Sequence, residues 1–125
     1  MAAAKKILVI DDESDVRQLM AHFLTEKGFE VRIAENGRLG LAALDTFTPD
    51  VVLLDMHMPE LDGVETLKRL AARRPGLPVI MVTVNDDVET TSRLLQLGAA
   101  DYVPKPFNLE YLEQAINIQL SAAGD

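Results

Sequence analysis

The sequence predicts an α/β fold in which parallel strands and helices alternate in a doubly wound arrangement. Two observations predict it. Short runs of consecutive apolar residues, rich in β-branched side chains, recur along the 125-residue chain, and such runs are typical of strands buried on both faces of a parallel sheet. Segments with apolar residues at helical spacing lie between the runs. The chain is therefore expected to form five strand–helix units joined by short loops.

The five predicted strands differ in how clearly the sequence marks them. Uninterrupted apolar runs predict strands at Ile7–Ile10, Val51–Leu54 and Val79–Val82. Glu30–Ala34 alternates polar and apolar side chains, which indicates a strand nearer an edge. A short fifth strand is predicted around Tyr102-Val103. We expect the strand order 2-1-3-4-5, one of the common orders of doubly wound sheets.

Five helices are predicted by apolar stripes, and we expect every stripe to pack in the core. The stripes consist of Val16, Leu19, Met20, Phe23 and Leu24; Leu39, Ala42, Ala43 and Phe47; Val64, Leu67, Leu70 and Ala71; Val88, Leu94, Leu95 and Leu97; and Leu109, Leu112, Ile116 and Leu120. Gly28 is placed to end the first helix, Pro75-Gly76 the third and Gly98 the fourth. Asp86 and Asn108 are the candidate N-caps of the fourth and fifth helices.

Length and composition exclude several classes of protein. A chain of 125 residues fits one domain spanning 1–125. No apolar run approaches the ~20 residues that cross a bilayer, and residues 1–6 do not resemble a secretory signal; we expect a cytoplasmic protein without membrane contact. The absence of cysteine excludes disulfides and thiolate metal sites. The net charge of −8 argues against direct binding to nucleic acid.

Polar residues follow four of the predicted strands, and this placement is the informative feature of the chain. Asp11 and Asp12 follow the first strand, Asp55 the third, Thr83 the fourth and Lys105 the fifth. In an open α/β sheet the ligand crevice lies at the carboxyl ends of the strands. It is deepest where the strand order reverses, between strands 1 and 3. We therefore expect these side chains to meet at one edge of the sheet.

The gathered residue types suit one chemistry. Three carboxylates in one cleft repel one another, and a divalent cation such as Mg²⁺ removes the repulsion because it prefers oxygen ligands. An aspartate carboxylate is a nucleophile toward phosphoryl groups, and a cation, a lysine and a hydroxyl can bind the phosphoryl oxygens. Taken singly, an Asp-Asp pair is often a helix cap, and Asp55, Thr83 or Lys105 could be ordinary structural residues. Their joint placement favours the functional interpretation.

Five segments resemble the response-regulator receiver domain, a flavodoxin-like (βα)5 fold of two-component signalling, over essentially the whole chain. They are Ile7–Glu13, Asp50–Pro59, Leu61–Gly63, Pro78–Thr83 and Gly98–Phe107. The resemblance implies that Asp55 accepts a phosphoryl group from a sensor histidine kinase or a histidine phosphotransfer protein. It implies that the domain catalyses only its own phosphorylation and dephosphorylation and is otherwise not an enzyme.

The resemblance also implies a role for each remaining site residue. Asp12, Asp55 and the backbone carbonyl of His57 would ligate Mg²⁺, for which Mn²⁺ is a possible substitute, and Asp11 would act through a metal-bound water. Thr83 and Lys105 would each bind a phosphoryl oxygen. Thr83 would then move toward the phosphoryl group and Tyr102 would turn inward behind it. That switch would remodel the surface formed by helix 4, strand 5 and helix 5.

Two residues depart from the commonest family pattern. Val84 stands directly after the threonine, where a small residue is usual, and its bulk is expected to narrow access to the site. His57 stands two residues after the acceptor, where the side chain often affects the lifetime of the phosphoryl group. We expect its imidazole to face solvent at the rim.

Three alternatives remain open at this point. A haloacid-dehalogenase-type phosphatase also uses an Asp nucleophile and Mg²⁺, but it needs a second Asp where His57 stands. A flavodoxin-like cofactor binder would need a Gly-, Ser- or Thr-rich phosphate loop after strand 1, where Asp11–Glu13 stands. A pseudo-receiver would bind partners without being phosphorylated. The resemblance is compatible with output through a separate protein target or a fused domain, and with a monomer or a phosphorylation-dependent dimer.

Overall fold

Five strands and five helices alternate along the chain in the computed structural model, which describes residues 3–58, 62–84 and 87–122. The strands are β1 (Lys6–Ile10), β2 (Glu30–Ala34), β3 (Val51–Asp55), β4 (Val79–Thr83) and β5 (Asp101–Pro104). The helices are α1 (Ser14–Glu26), α2 (Gly37–Ala43), α3 (Gly63–Arg73), α4 (Val88–Gln96) and α5 (Leu109–Ala122). The predicted α/β alternation is confirmed.

All five strands form one parallel sheet in the order β2-β1-β3-β4-β5, as predicted. The central strand β3 is buried along its whole length, whereas β2 lies at an edge and exposes most of its residues. The strand order reverses at β1, which has β2 on one side and β3 on the other. The register pairs Ile10 with Leu54, so the residues that follow them, Asp11 and Asp55, end neighbouring strands at the same level.

The core has two halves, one on each face of the sheet, because alternate side chains of each strand point to opposite faces. Leu8 and Ile10 pack with the helices α2, α3 and α4. Ile7 and Val9 pack with α1 and α5. Among the described residues, no helix is both long and apolar enough to cross a membrane.

Polar caps and glycines bound the helices largely as predicted. Gly28 follows α1 with a φ of +95°, a conformation that glycine adopts without strain. Asn108 accepts hydrogen bonds from the first backbone N–H groups of α5. The prediction for α4 was wrong by one residue: Asp87 is the cap, and its carboxylate accepts from the Thr90 N–H at 3.0 Å. Asp86 lies outside the described residues, as do Pro59 and Leu61 of the receiver-like segments.

The expectation that every apolar stripe packs in the core was wrong at several positions. Val88 and Leu95 of α4 are 80% and 46% exposed, because α4 meets the sheet through a narrow face whose buried residues are Thr91 and Leu94. The other exposed members are Leu19, Leu39 and Ala42. Phe47 is buried, but α2 ends before it at Ala43.

Candidate functional site

The predicted site residues meet at the carboxyl edge of the sheet. Asp11 follows β1, Asp55 and Thr83 are the last residues of β3 and β4, and Lys105 follows β5. Backbone hydrogen bonds continue the sheet one residue beyond the strands: the Asp11 N–H donates to Ala34 and the Lys105 N–H donates to Thr83 at 2.7 Å. These backbone hydrogen bonds therefore fix the positions of the Asp11 and Lys105 backbones, from which the two side chains extend.

Asp11, Asp12 and Asp55 form a cluster that fits a divalent cation. One carboxylate oxygen from each lies within 4.8 Å of the other two. Asp11 and Asp55 are buried, whereas Asp12 is exposed, so the cluster is open to solvent on the side of Asp12. Three carboxylates with a water-accessible face are the donor set that Mg²⁺ and Mn²⁺ favour.

Burial makes the Asp55 carboxylate costly to ionise in the absence of a cation. Burial first, and the negative charge of Asp11 second, raise the pKa of Asp55 to about 6. Lys105 and the hydrogen bond from the His57 backbone N–H, at 3.3 Å, oppose that rise. A cation at the cluster would lower the pKa of Asp55 and keep the carboxylate ionised, as a nucleophile requires.

Lys105 places one ammonium among the carboxylates. Its Nζ lies 3.2 Å from Asp11 Oδ2 and 3.4 Å from Asp55 Oδ1. Burial lowers the pKa of Lys105, but the charges of Asp11 and Asp55 outweigh that effect, so its pKa is raised. Lys105 is therefore a fixed positive charge that touches the candidate acceptor directly.

Thr83 and Tyr102 occupy the adjoining strands β4 and β5. Thr83 is fully buried, and its hydroxyl donates to the Met56 thioether sulfur at 3.3 Å. Tyr102 is half-buried and pairs with Met81, two residues before Thr83. Thr83 and Tyr102 thus lie on neighbouring strands. The helices that follow these strands in the chain are α4 and α5.

The rim of the site carries the two residues that depart from the common receiver pattern. His57 is exposed, as expected. Val84 is 59% exposed beside the buried Thr83. An open depression of about 400 Å³ adjoins the cluster, and its lining includes Asp12, His57 and Asp62. Small molecules can therefore approach the acidic cluster from solvent.

Several residues at the site had not been assigned a role there from sequence. Gly63 donates its N–H to the Met56 carbonyl at 3.0 Å, and a Cβ on Gly63 would lie 2.6 Å from Met56 Cα. Asp62 caps α3, and its carboxylate accepts a hydrogen bond from the Glu65 N–H at 2.9 Å. Arg17 donates to the Asp11 carbonyl at 2.8 Å, and Glu13 reaches Lys105. These contacts join residues that no local pattern connects.

Comparison with known proteins gives one consistent result. Residues 7–117 match the profile of the response regulator receiver domain. The chain is 41% identical over 123 residues to the regulatory protein AtoC of Escherichia coli (strain K12), covering 95% of this chain and 27% of AtoC. It is 41% identical over 104 residues to the DNA-binding transcriptional regulator NtrC of Salmonella typhimurium, covering 83% of this chain and 22% of NtrC. The chain thus spans about a quarter of the length of these relatives.

A solved structure extends the same result to the fold. The chemotaxis protein CheY4 of Vibrio cholerae superposes with a TM-score of 0.90 at 32% identity. The superposition covers 94% of this chain and 100% of the CheY4 chain. The predicted fold, with its strand order, is confirmed by this likeness.

Proposed function

The chain belongs to the response regulator receiver family, and we propose that it is one receiver domain, residues 1–125, in which Asp55 is the phosphoacceptor. The donor is a phosphohistidine on a sensor histidine kinase or a histidine phosphotransfer protein, and the domain works in the cytoplasm. The observation that carries the proposal is the contact set of Asp55: a buried carboxylate that joins Asp11 and Asp12 in one cluster and lies 3.4 Å from the Lys105 ammonium.

The residues that would hold the cation are Asp12, Asp55 and the backbone carbonyl of His57, with Asp11 acting through a water. When bound, Mg²⁺, or Mn²⁺ in its place, offsets the charge that builds up on the transferring phosphoryl group. An Asp55 carboxylate oxygen forms the new bond to phosphorus, the N–P bond of the phosphohistidine breaks, and the imidazole leaves and takes up a proton. Lys105 and Thr83 each bind one phosphoryl oxygen. The domain catalyses this self-phosphorylation and the later hydrolysis, and no other reaction.

The output of the switch is a change in the surface formed by α4, β5 and α5. A phosphorylated side chain adds about −1.5 to −2 of charge, and Thr83 leaves the Met56 sulfur to bind it while Tyr102 turns inward. That surface exposes the apolar side chains of Val88, Leu95 and Ile118. Its partner is a protein target or a fused output domain, and the domain acts as a monomer or as a phosphorylation-dependent dimer. It makes no direct contact with nucleic acid or membrane.

Intact mass measurement tests the proposal. The protein is incubated with Mg²⁺ and a small phosphodonor such as acetyl phosphate, and we expect a gain of one phosphoryl group. The gain should be absent without the cation and absent in Asp55→Asn. Cation binding without any mass gain would favour a pseudo-receiver, and steady release of phosphate from many phosphoesters would favour a phosphatase.

A further inference from the structure

Among the residues that the structure describes, three carboxylates neighbour the Lys105 ammonium in the resting domain. Besides Asp11 and Asp55, the Glu13 carboxylate lies within reach, with Glu13 Oε1 3.5 Å from Lys105 Nζ. A lysine ammonium has three N–H donors and no more. Three carboxylates therefore match its full donor capacity before any phosphoryl group arrives.

Glu13 occupies the N-cap position of α1 but does not cap the helix. Its backbone is extended, with φ −90° and ψ 116°, and its side chain makes no capping hydrogen bond. The other four helices are capped by the side chains of Asn36, Asp62, Asp87 and Asn108, which are the residue types that stabilise a helix start. Glutamate is a poor choice for a cap, so its presence here indicates a different use of the side chain.

We propose that Glu13 is a positioning residue that holds the Lys105 ammonium in the resting domain and is exchanged for a phosphoryl oxygen when Asp55 is loaded. The inference rests on the proposed phosphorylation of Asp55. Of the three neighbours, Asp11 is buried with 2% of its side chain exposed, and Asp55 carries the incoming group. The Glu13 side chain is 63% exposed, so water solvates it well once Lys105 leaves. Glu13 is therefore the contact that Lys105 gives up.

Because of this exchange, the Glu13–Lys105 ion pair disfavours the state in which Asp55 carries a phosphoryl group. Breaking the Glu13–Lys105 ion pair on phosphorylation costs a small amount of free energy, and a variant that lacks the pair does not have that cost. Glu13→Gln is expected to favour the loaded state by about two- to five-fold, the range that exposed ion pairs supply. Asp15→Asn is the matched control, because Asp15 lies two residues further along in the first turn of α1 and its replacement removes the same charge.

The first arm of the test observes the contact in protein free of divalent cations. Lysine side chains are labelled with ¹⁵N, and the Lys105 ammonium signal is assigned by its loss in Lys105→Met. We expect Glu13→Gln to shift this signal and to speed its exchange with water, and Asp15→Asn to leave both unchanged. Equal behaviour of Glu13→Gln and wild type would overturn the proposal, since a purely structural Glu13 would not affect the ammonium.

The second arm measures the loaded state with beryllofluoride, which mimics a phosphoryl group on a carboxylate, in the presence of Mg²⁺. Glu13→Gln should bind it about two- to five-fold more tightly than both wild type and Asp15→Asn. Equal tightening in Glu13→Gln and Asp15→Asn would mean that the loss of any nearby negative charge is responsible, and it would overturn the proposal. Failure of wild type to bind beryllofluoride would instead count against phosphorylation of Asp55, so the two ideas fail in different ways.

Discussion

Replacing Asp55 with asparagine should stabilise the cation-free domain at high pH and leave it unchanged at low pH. Burial, followed by the charge of Asp11, raises the pKa of Asp55 from 3.8 to about 6. The folded state therefore holds its proton more tightly than the unfolded state, and stability is lost as pH rises from about 4 to about 6. Asparagine has the shape of the protonated side chain and removes that loss.

The size of the effect follows from the shift. About 2 pKa units at about 1.4 kcal/mol each give an advantage of about 3 kcal/mol for Asp55→Asn above pH ~6. Below pH ~4 the carboxyl is protonated in both states, and the difference should approach zero. Adding Mg²⁺ at high pH should narrow the gap, because a cation that binds the folded wild type stabilises it.

Urea unfolding with EDTA, near pH 4 and near pH 8, measures this difference directly. Asp15→Asn controls for the loss of one negative charge from a chain of net charge −8. The expected result is a free energy of unfolding for Asp55→Asn that exceeds that of wild type only at the higher pH. A difference that is the same at both pH values, or an asparagine variant less stable than wild type near pH 8, would refute the assignment of a buried, proton-retaining carboxyl.

Three further substitutions test the Lys105 ion pairs, the close approach of Gly63 to Met56 and the cap of α4. Lys105→Met leaves two buried carboxylates facing each other and should lower the free energy of unfolding in EDTA near pH 8 by about 3 kcal/mol. Adding Asp55→Asn should restore much of that free energy, and no recovery would contradict the stabilising role of the Lys105 ion pairs. Gly63→Ala places a Cβ 2.6 Å from Met56 Cα, so the free energy of unfolding in urea should fall by about 1–3 kcal/mol and acetyl phosphate labelling should slow. Unchanged labelling would show that the loop tolerates the methyl group. Asp87→Ala removes the α4 cap and should cost about 1 kcal/mol in urea without altering labelling; a labelling defect would mean that α4 reaches the acceptor.

Most of the fold could be predicted because a buried parallel strand appears in the sequence as a run of consecutive apolar residues. Each apolar run became a strand, and the predicted bounds of β2 match the structure. The runs for β3 and β4 stop one residue early, since Asp55 and Thr83 are still in their strands. These last residues are polar because they form the site, so apolar patterning does not extend to the functional end of a strand.

Much of the site's composition could also be predicted, because strand ends in a parallel sheet share one edge. The contacts between Lys105 and the carboxylates of Asp11 and Asp55 follow from that topology. The contact of Glu13 with Lys105 and that of Met56 with Thr83 do not, because they depend on side-chain direction. The exposure of Val88 was also unpredictable, since a stripe of apolar residues does not reveal which of them the neighbouring helix or strand will cover.

Reductive trapping tests directly whether Asp55 carries the phosphoryl group. An acyl phosphate is reduced by borohydride to an alcohol, so a phosphorylated aspartate becomes homoserine, which peptide mass spectrometry can locate. After treatment with Mg²⁺ and acetyl phosphate, we expect homoserine at position 55 and at no other aspartate. Homoserine at Asp11 or Asp12, or a phosphoryl group that survives borohydride on another residue type, would contradict this expectation.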